Sequence, residues 1–247
     1  MYGSWDSFDG QVFREWRNDP EHYDDAAWTH VIKPFRIPAH WHIYMGFDFG
    51  YAKPFSVGWY AVDEDRRIYR IAEYYGCTGQ PNTGIKIDPT EIAAGIKRIE
   101  DETPALKGKQ ITRIADPSIF DESRGLSVAQ MMAQSPNFVY FSPGDNTRIA
   151  GKMQYHYRFA FDASGRPMLQ VFDTCKHFIR TLPSLVYDDK HVEDINTDQE
   201  DHIYDECRYV LMANPITPRP SAPVKPPEYN PLDDDTPRRD KYRFYRI

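Results

Sequence analysis

Three apolar, β-prone runs follow one another between residues 43 and 75: IYMGFDFG, SVGWYAV and RIYRIAEYY. YAKP separates the first pair and the charged turn DEDRR the second. Each run has the length and the β-branched and aromatic content of a strand, and the short connections predict an antiparallel meander. After it the pattern changes to alternation. Ile92, Ile96 and Ile99 recur at helical spacing behind Pro89, which predicts a helix over 89–102. KQITRIAD (109–116) reads as a strand, SVAQMMAQ (127–134) as a short helix and NFVYFSP (137–143) as another strand. NTRIAGKMQYHYRFAF (146–161) reads as a helix with Asn146 as its cap. DASGRP (162–167) is a turn between RFAF and MLQVF, a candidate hairpin. CKHFIRTLPSLV (175–186) looks helical up to the limit that Pro183 sets, and 198–213 forms the last helix, with Ile203, Cys207, Val210 and Leu211 as its buried stripe. Three antiparallel strands followed by α/β alternation is the order of an RNase H-like domain: an α/β fold with a central mixed sheet flanked by helices.

The 247 residues suffice for one large domain or two small ones. Apolar residues make up 40% of the chain and mean hydropathy is −0.68, with no run approaching the roughly 18 to 20 apolar residues of a membrane helix. The chain opens without a basic segment followed by an apolar one, so no signal peptide is expected. Cys77, Cys175 and Cys207 form no CxxC pair, which argues against a disulfide framework or a structural zinc site and fits a reducing compartment. Residues 1–42 read as an irregular lead-in, 43–213 as the folded domain, and 214–247, with eight prolines in 34 residues, as an extended or flexible tail.

The net charge is −7, which at first sight disfavours a nucleic-acid partner. Segment 188–206 alone carries nine carboxylates and one lysine, so everything else sums to +1. Such a cluster is either a solvated face or a cation site.

Three aspartates occupy special places in the predicted order. Asp48 falls inside the first apolar run, with Phe47 and Phe49 on the opposite face and Gly46 and Gly50 leaving space around it. Asp116 ends the fourth strand, where Pro117 stops the ladder. Asp205 lies on the last helix, four residues after Asp201 and three after His202. Taken singly, the three have ordinary readings as a hydrogen-bonded strand residue, a turn former and a solvated helix residue. Brought together by two strands and a helix, three carboxylates repel one another and need a counter-charge. Mg²⁺ or Mn²⁺ supplies one through hard oxygen ligands, and a pair of such ions hydrolyses phosphodiesters.

The words around these acids carry a resemblance. GFDFGYAKP (46–54), IADPS (114–118) and DHIYDECRY (201–209) resemble the nuclease domain of tailed-bacteriophage large terminase subunits, and GSWDSFDGQVF (3–13) and HVIKPF (30–35) look like that family's connection from its motor domain. The resemblance spans about residues 1–213. It implies an RNase H-like, metal-dependent endonuclease that cuts concatemeric double-stranded DNA during genome packaging. Asp48, Asp116 and Asp205 match the family's catalytic acids, with Asp48 expected to bridge two Mg²⁺ or Mn²⁺ ions and Asp116 and Asp205 to hold one each. Asp201 and His202 match neighbours that assist the third position as further ligands. The implied partners are duplex DNA, the terminase motor domain, the small terminase subunit and the portal, in the cytoplasm of an infected bacterium and away from membranes. The chain contains no G-x-x-x-x-G-K-[ST]. In its nearest string the glycines Gly144 and Gly151 are seven apart, and Met153 stands where a metal-binding hydroxyl belongs, so no ATPase motor is expected.

DNA contact needs cations on phosphates. Arg148, Lys152, Tyr155 and His156 share one face of the 146–161 helix, and Lys53 follows Asp48 by five residues; Arg124 and Arg166 are further candidates. Two alternatives stay open: an RNase H-like junction resolvase, and a non-catalytic packaging module that docks on a portal through its tail, RRDKYRFYR (238–246).

Overall fold

The computed structural model describes residues 10–217 apart from Arg124 and Val192. The first nine residues, Arg124 and the tail beyond Thr217, including its cationic–aromatic end, lie outside the described residues.

Seven strands form one mixed sheet: β1 (Val31–Ile32), β2 (His42–Asp48), β3 (Ser56–Val62), β4 (Ile68–Tyr75), β5 (Ile111–Ala115), β6 (Ser142–Pro143) and β7 (Leu169–Phe172), in the order β1-β7-β4-β3-β2-β5-β6. β2, β3 and β4 are the expected antiparallel meander, while β5 lies parallel to β2 and β7 parallel to both β4 and β1. The helices are α1 (Pro89–Glu102), α2 (Val128–Met132), α3 (Arg148–Phe159), α4 (Lys176–Thr181) and α5 (His202–Ala213). The RNase H-like α/β reading holds.

Local chemistry explains the elements that sequence located well. In α1, Pro89 fills the first turn, the Asp88 side chain accepts from Thr90 N at 2.8 Å, and Glu91 reaches back to Asp88 N at 3.2 Å, which closes a capping box. Ile92 and Ile96 then bury completely. α2 is started in the same way by Ser127 and Gln130. α4 gives way to a 3-10 turn at Leu182–Ser184, where Pro183 removes a donor.

Four expectations change. The run 137–143 supplies only the two-residue β6, because Phe138 sits at φ +50° and takes the backbone out of extended geometry. Thr147 occupies the N-cap position of α3 without a side-chain cap bond, and the Asn146 side chain accepts from Arg208 Nη2 at 2.8 Å. Turn 162–167 forms no hairpin. Asp162 Oδ1 accepts from Ser164 N and Arg166 N, Gly165 takes φ +76°, and the chain leaves into β7, whose partners are parallel. The lead-in is packed from Gln11 onward: Val12, Phe13 and Trp16 are buried, Val12 N–H donates to Leu185 O, and β1 forms the sheet edge.

The two faces of the sheet are assigned by register. Ser56, Gly58 and Tyr60 on β3 face α5, where the Ser56 and Tyr60 hydroxyls donate to Glu206. Trp59 points the other way and donates to Glu100 of α1 at 3.3 Å. Asp48 pairs with Ser56 and Gly46 with Gly58, so Asp48 lies on the α5 face.

Candidate metal centre

Asp48 ends β2, Asp116 follows β5 directly, and α5 packs across β2 and β3 with Asp205 in its first turn. Since β2 and β5 are parallel neighbours, their ends present Asp48 and Asp116 side by side; Asp116 N–H donates to Phe47 O at 3.0 Å. α5 can approach because β2 and β3 place glycines beneath it. A Cβ at Gly46 would overlap the Glu206 main chain, and one at Gly58 would overlap Glu206 Oε1 and the Arg70 guanidinium. Glu206 is fully buried and pairs with Arg70 Nη1 at 2.7 Å, which pins the helix to the sheet.

Asp205 and Asp116 act electrically on Asp48. Burial, above all, pushes the Asp48 carboxyl up to about 6, and the charges of Asp205 and Asp116 add to that against the pull of His202. Asp201 is raised to about 7 by burial first and then by Asp205 and Asp48. Its side chain makes no cap hydrogen bond on α5. Of the sequence-predicted set, Asp48 touches His202 and lies within electrostatic reach of Asp116, Asp201 and Asp205.

Each acid already has a partner. Asp48 Oδ2 lies 2.9 Å from His202 Nδ1. Burial pulls the His202 ring down, but the Asp48 carboxylate beside it prevails and the ring sits above its ordinary value. His202 Nε2 lies 3.1 Å from Asn82 Oδ1, so both ring nitrogens are engaged. Asp116 Oδ1 accepts from Ser118 N at 2.6 Å, and its Oδ2 accepts from the Tyr209 hydroxyl. Asp205 Oδ1 accepts from Arg208 Nε and Nη2 at 3.0 and 2.8 Å, with Arg148 Nη1 3.8 Å away. With these contacts in place, no group of three or more His, Cys, Asp or Glu side chains among the described residues has the spacing to hold a metal ion. The donor chemistry suits a hard divalent cation: carboxylate oxygens, with the Asp48 carboxyl raised by burial first and by its neighbours' charge second.

The cations expected to meet DNA divide. Lys53 is exposed, and its charge is felt at His202. Arg148 Nε donates to Asp194 Oδ2 at 2.5 Å, and Lys152 is buried with its ammonium donating to Glu193 O. Tyr155 and His156 bond Tyr204 O and Glu15. That face of α3 is therefore turned to the protein and to the acidic 188–194 segment.

Sequence reasoning gave no role to Tyr209, Arg208 or Asn82. Arg208 stands three residues and Tyr209 four after Asp205, a spacing that shares a helix face and was readable. Asn82 lies in a turn, QPNTG, with nothing in the sequence linking it to His202.

No protein-family model and no curated protein matches the chain. Solved structures do. The large terminase of the thermophilic bacteriophage D6E in complex with ATP-γ-S superposes with a TM-score of 0.60 at 18% identity, over 81% of this chain and 44% of that one. The P22 large terminase nuclease domain superposes with a TM-score of 0.56 at 17% identity, over 83% of this chain and 92% of that domain. The chain spans less than half of the D6E protein and nearly all of the P22 domain. Its fold is that of the large-terminase nuclease domain.

Proposed function

We propose that this chain is a metal-dependent DNA endonuclease that works in viral genome packaging, with Asp48, Asp116 and Asp205 as the ligands of Mg²⁺ or Mn²⁺. The observation that carries this reading is the placement of Asp48 and Asp116 at the ends of the parallel neighbours β2 and β5, with α5 packed across β2 so that the Asp205 charge bears on a half-buried Asp48. Such an arrangement is costly without a cation and is put to use with one. Bound divalent ions would lower the pKa of water and stabilise the leaving oxygen of a phosphodiester. The chain's own part is positioning. β2 and β5 fix Asp48 and Asp116 on adjacent strand ends, and the Glu206–Arg70 pair holds α5 so that Asp205 faces them. His202 sets the Asp48 carboxylate, with Asn82 behind it. Asp201 and His202 stand as outer supports or additional ligands.

Duplex DNA is the proposed substrate, and motor domain, small subunit and portal are the proposed partners. The likeness to the P22 nuclease domain and the partial coverage of the D6E protein support that placement. Among the described residues no helix is long and apolar enough to cross a membrane. The test is nicking of supercoiled plasmid with Mg²⁺ or Mn²⁺. Wild type is expected to nick and Asp48→Ala to be inactive while still folded. Equal nicking by both, or none with either ion, rejects the proposal.

A further inference from the structure

A nuclease whose expected DNA-binding helix is occupied internally must hold its substrate elsewhere. Two loops beside Asp48 and His202 are fastened into one ridge. Gly84 N–H donates to Ala52 O at 2.8 Å, Gly76 N–H to Phe55 O at 2.9 Å, and Ile85 N–H to Gly76 O at 3.2 Å. Gly84 has no room for a Cβ against the carbonyls of Tyr51 and Lys53, so this contact is close by construction. Asn82, at φ +51°, ties the ridge to the acids: its amide nitrogen donates to the carbonyls of Asp198 and Gln199, and its oxygen faces His202.

The other side of the ridge is open. Tyr51 is 55% and Ile85 39% exposed, and Lys53 and Lys86 are exposed beside them. Among the described residues neither lysine makes a hydrogen bond or ion pair, unlike Arg148 and Lys152. Unpaired ammonium groups alternating with an aromatic and an aliphatic side chain match a phosphate–sugar backbone, which offers anionic oxygens and apolar ribose faces by turns.

We propose that the ridge formed by residues 51–53 and 82–86 is the surface that holds duplex DNA against the acidic centre, through Lys53 and Lys86 on phosphates and Tyr51 and Ile85 on sugars. This rests on the nuclease reading for its substrate and needs no cleavage to be tested. It assigns no base recognition to the ridge.

The experiment is fluorescence anisotropy with a labelled duplex and the full chain in EDTA, across a salt series. The Lys53→Glu/Lys86→Glu double variant is expected to weaken binding by about ten-fold or more. Its slope of log K against log salt should shrink by roughly two, since each lost phosphate contact removes about 0.9. Tyr51→Ser should weaken binding with the slope unchanged. Lys107→Glu, past the far end of α1, should behave as wild type. Wild-type affinity and slope in the double variant would overturn the ridge, and so would an equal loss in Lys107→Glu. If the ridge variants lose DNA as stated while wild type never nicks with either ion, the nuclease reading fails and the ridge stands.

Discussion

Gly46 of β2 lies so close beneath Glu206 of α5 that a single methyl group there would overlap the Glu206 main-chain carbonyl. That contact sets how near Asp205, one residue earlier on the helix, comes to the strand ends. Gly46→Ala forces α5 outward, because main chain cannot swing aside as a side-chain tip does. Overpacking of this kind costs about 1–3 kcal/mol. Urea unfolding should show that loss, and plasmid nicking should fall with it. An unchanged midpoint would mean that the helix is free to shift and that its height over the sheet is not fixed there.

Arg70 and Glu206 form a buried pair at 2.7 Å beneath the same helix. Removing one partner leaves Glu206 without a counter-charge in the core, or leaves Arg70 with only Glu73 at 3.7 Å, at about 3–5 kcal/mol. Glu206→Gln and Arg70→Met should each lose that much in denaturant unfolding. The double variant Arg70→Met/Glu206→Leu should recover part of it. Single variants as stable as wild type would show that the pair contributes nothing net.

The Tyr209 hydroxyl donates to Asp116 and the Arg208 guanidinium holds Asp205. Partners that orient a ligand typically matter 10- to 100-fold in metal affinity or activity. Tyr209→Phe deletes one hydroxyl and keeps the ring, so nicking should fall about 10-fold or more while the unfolding midpoint moves little. Full activity in Tyr209→Phe would show that Asp116 needs no such support.

His30 is buried among the rings of Trp16, Phe159 and Phe161, with Nδ1 accepting from Arg17 N at 2.9 Å and Nε2 donating to Phe159 O at 3.0 Å. This network suits the neutral ring, and burial pushes its pKa down to about 4. The unfolded chain takes up this proton near pH 6.5 and the folded chain only near pH 4. Stability linked to His30 is therefore intact above about pH 6.5 and falls as pH drops towards 4, by roughly 3 kcal/mol in all. His30→Gln should flatten that part of the stability–pH curve measured by urea unfolding. The same slope in both proteins would contradict the assignment.

Much of the frame was legible because the residues that form it obey local rules. The meander shows in three apolar, β-prone runs, α1 in Pro89 and the isoleucine spacing, and Asp48 in its misfit within an apolar strand. What escaped depends on tertiary context. The 137–143 run has strand composition, yet Phe138 adopts a left-handed backbone that composition does not reveal. Arg148 and Lys152 look like a DNA-facing row until the acidic 188–194 segment is seen against them. The hairpin at 162–167 had the right turn chemistry, but β7 finds parallel partners far away in sequence. Asn82 meets His202 across 120 residues of chain, a link no local pattern encodes.

The central claim is that Asp48, Asp116 and Asp205 close on divalent ions. Crystals soaked in millimolar Mn²⁺ and measured for anomalous scattering test it most directly. The account predicts anomalous density at coordination distance from the Asp48 carboxylate and from at least one of Asp116 and Asp205, with Asp205 turned away from Arg208 or Asp116 from Tyr209. Manganese bound only elsewhere, or none at that concentration, would contradict it.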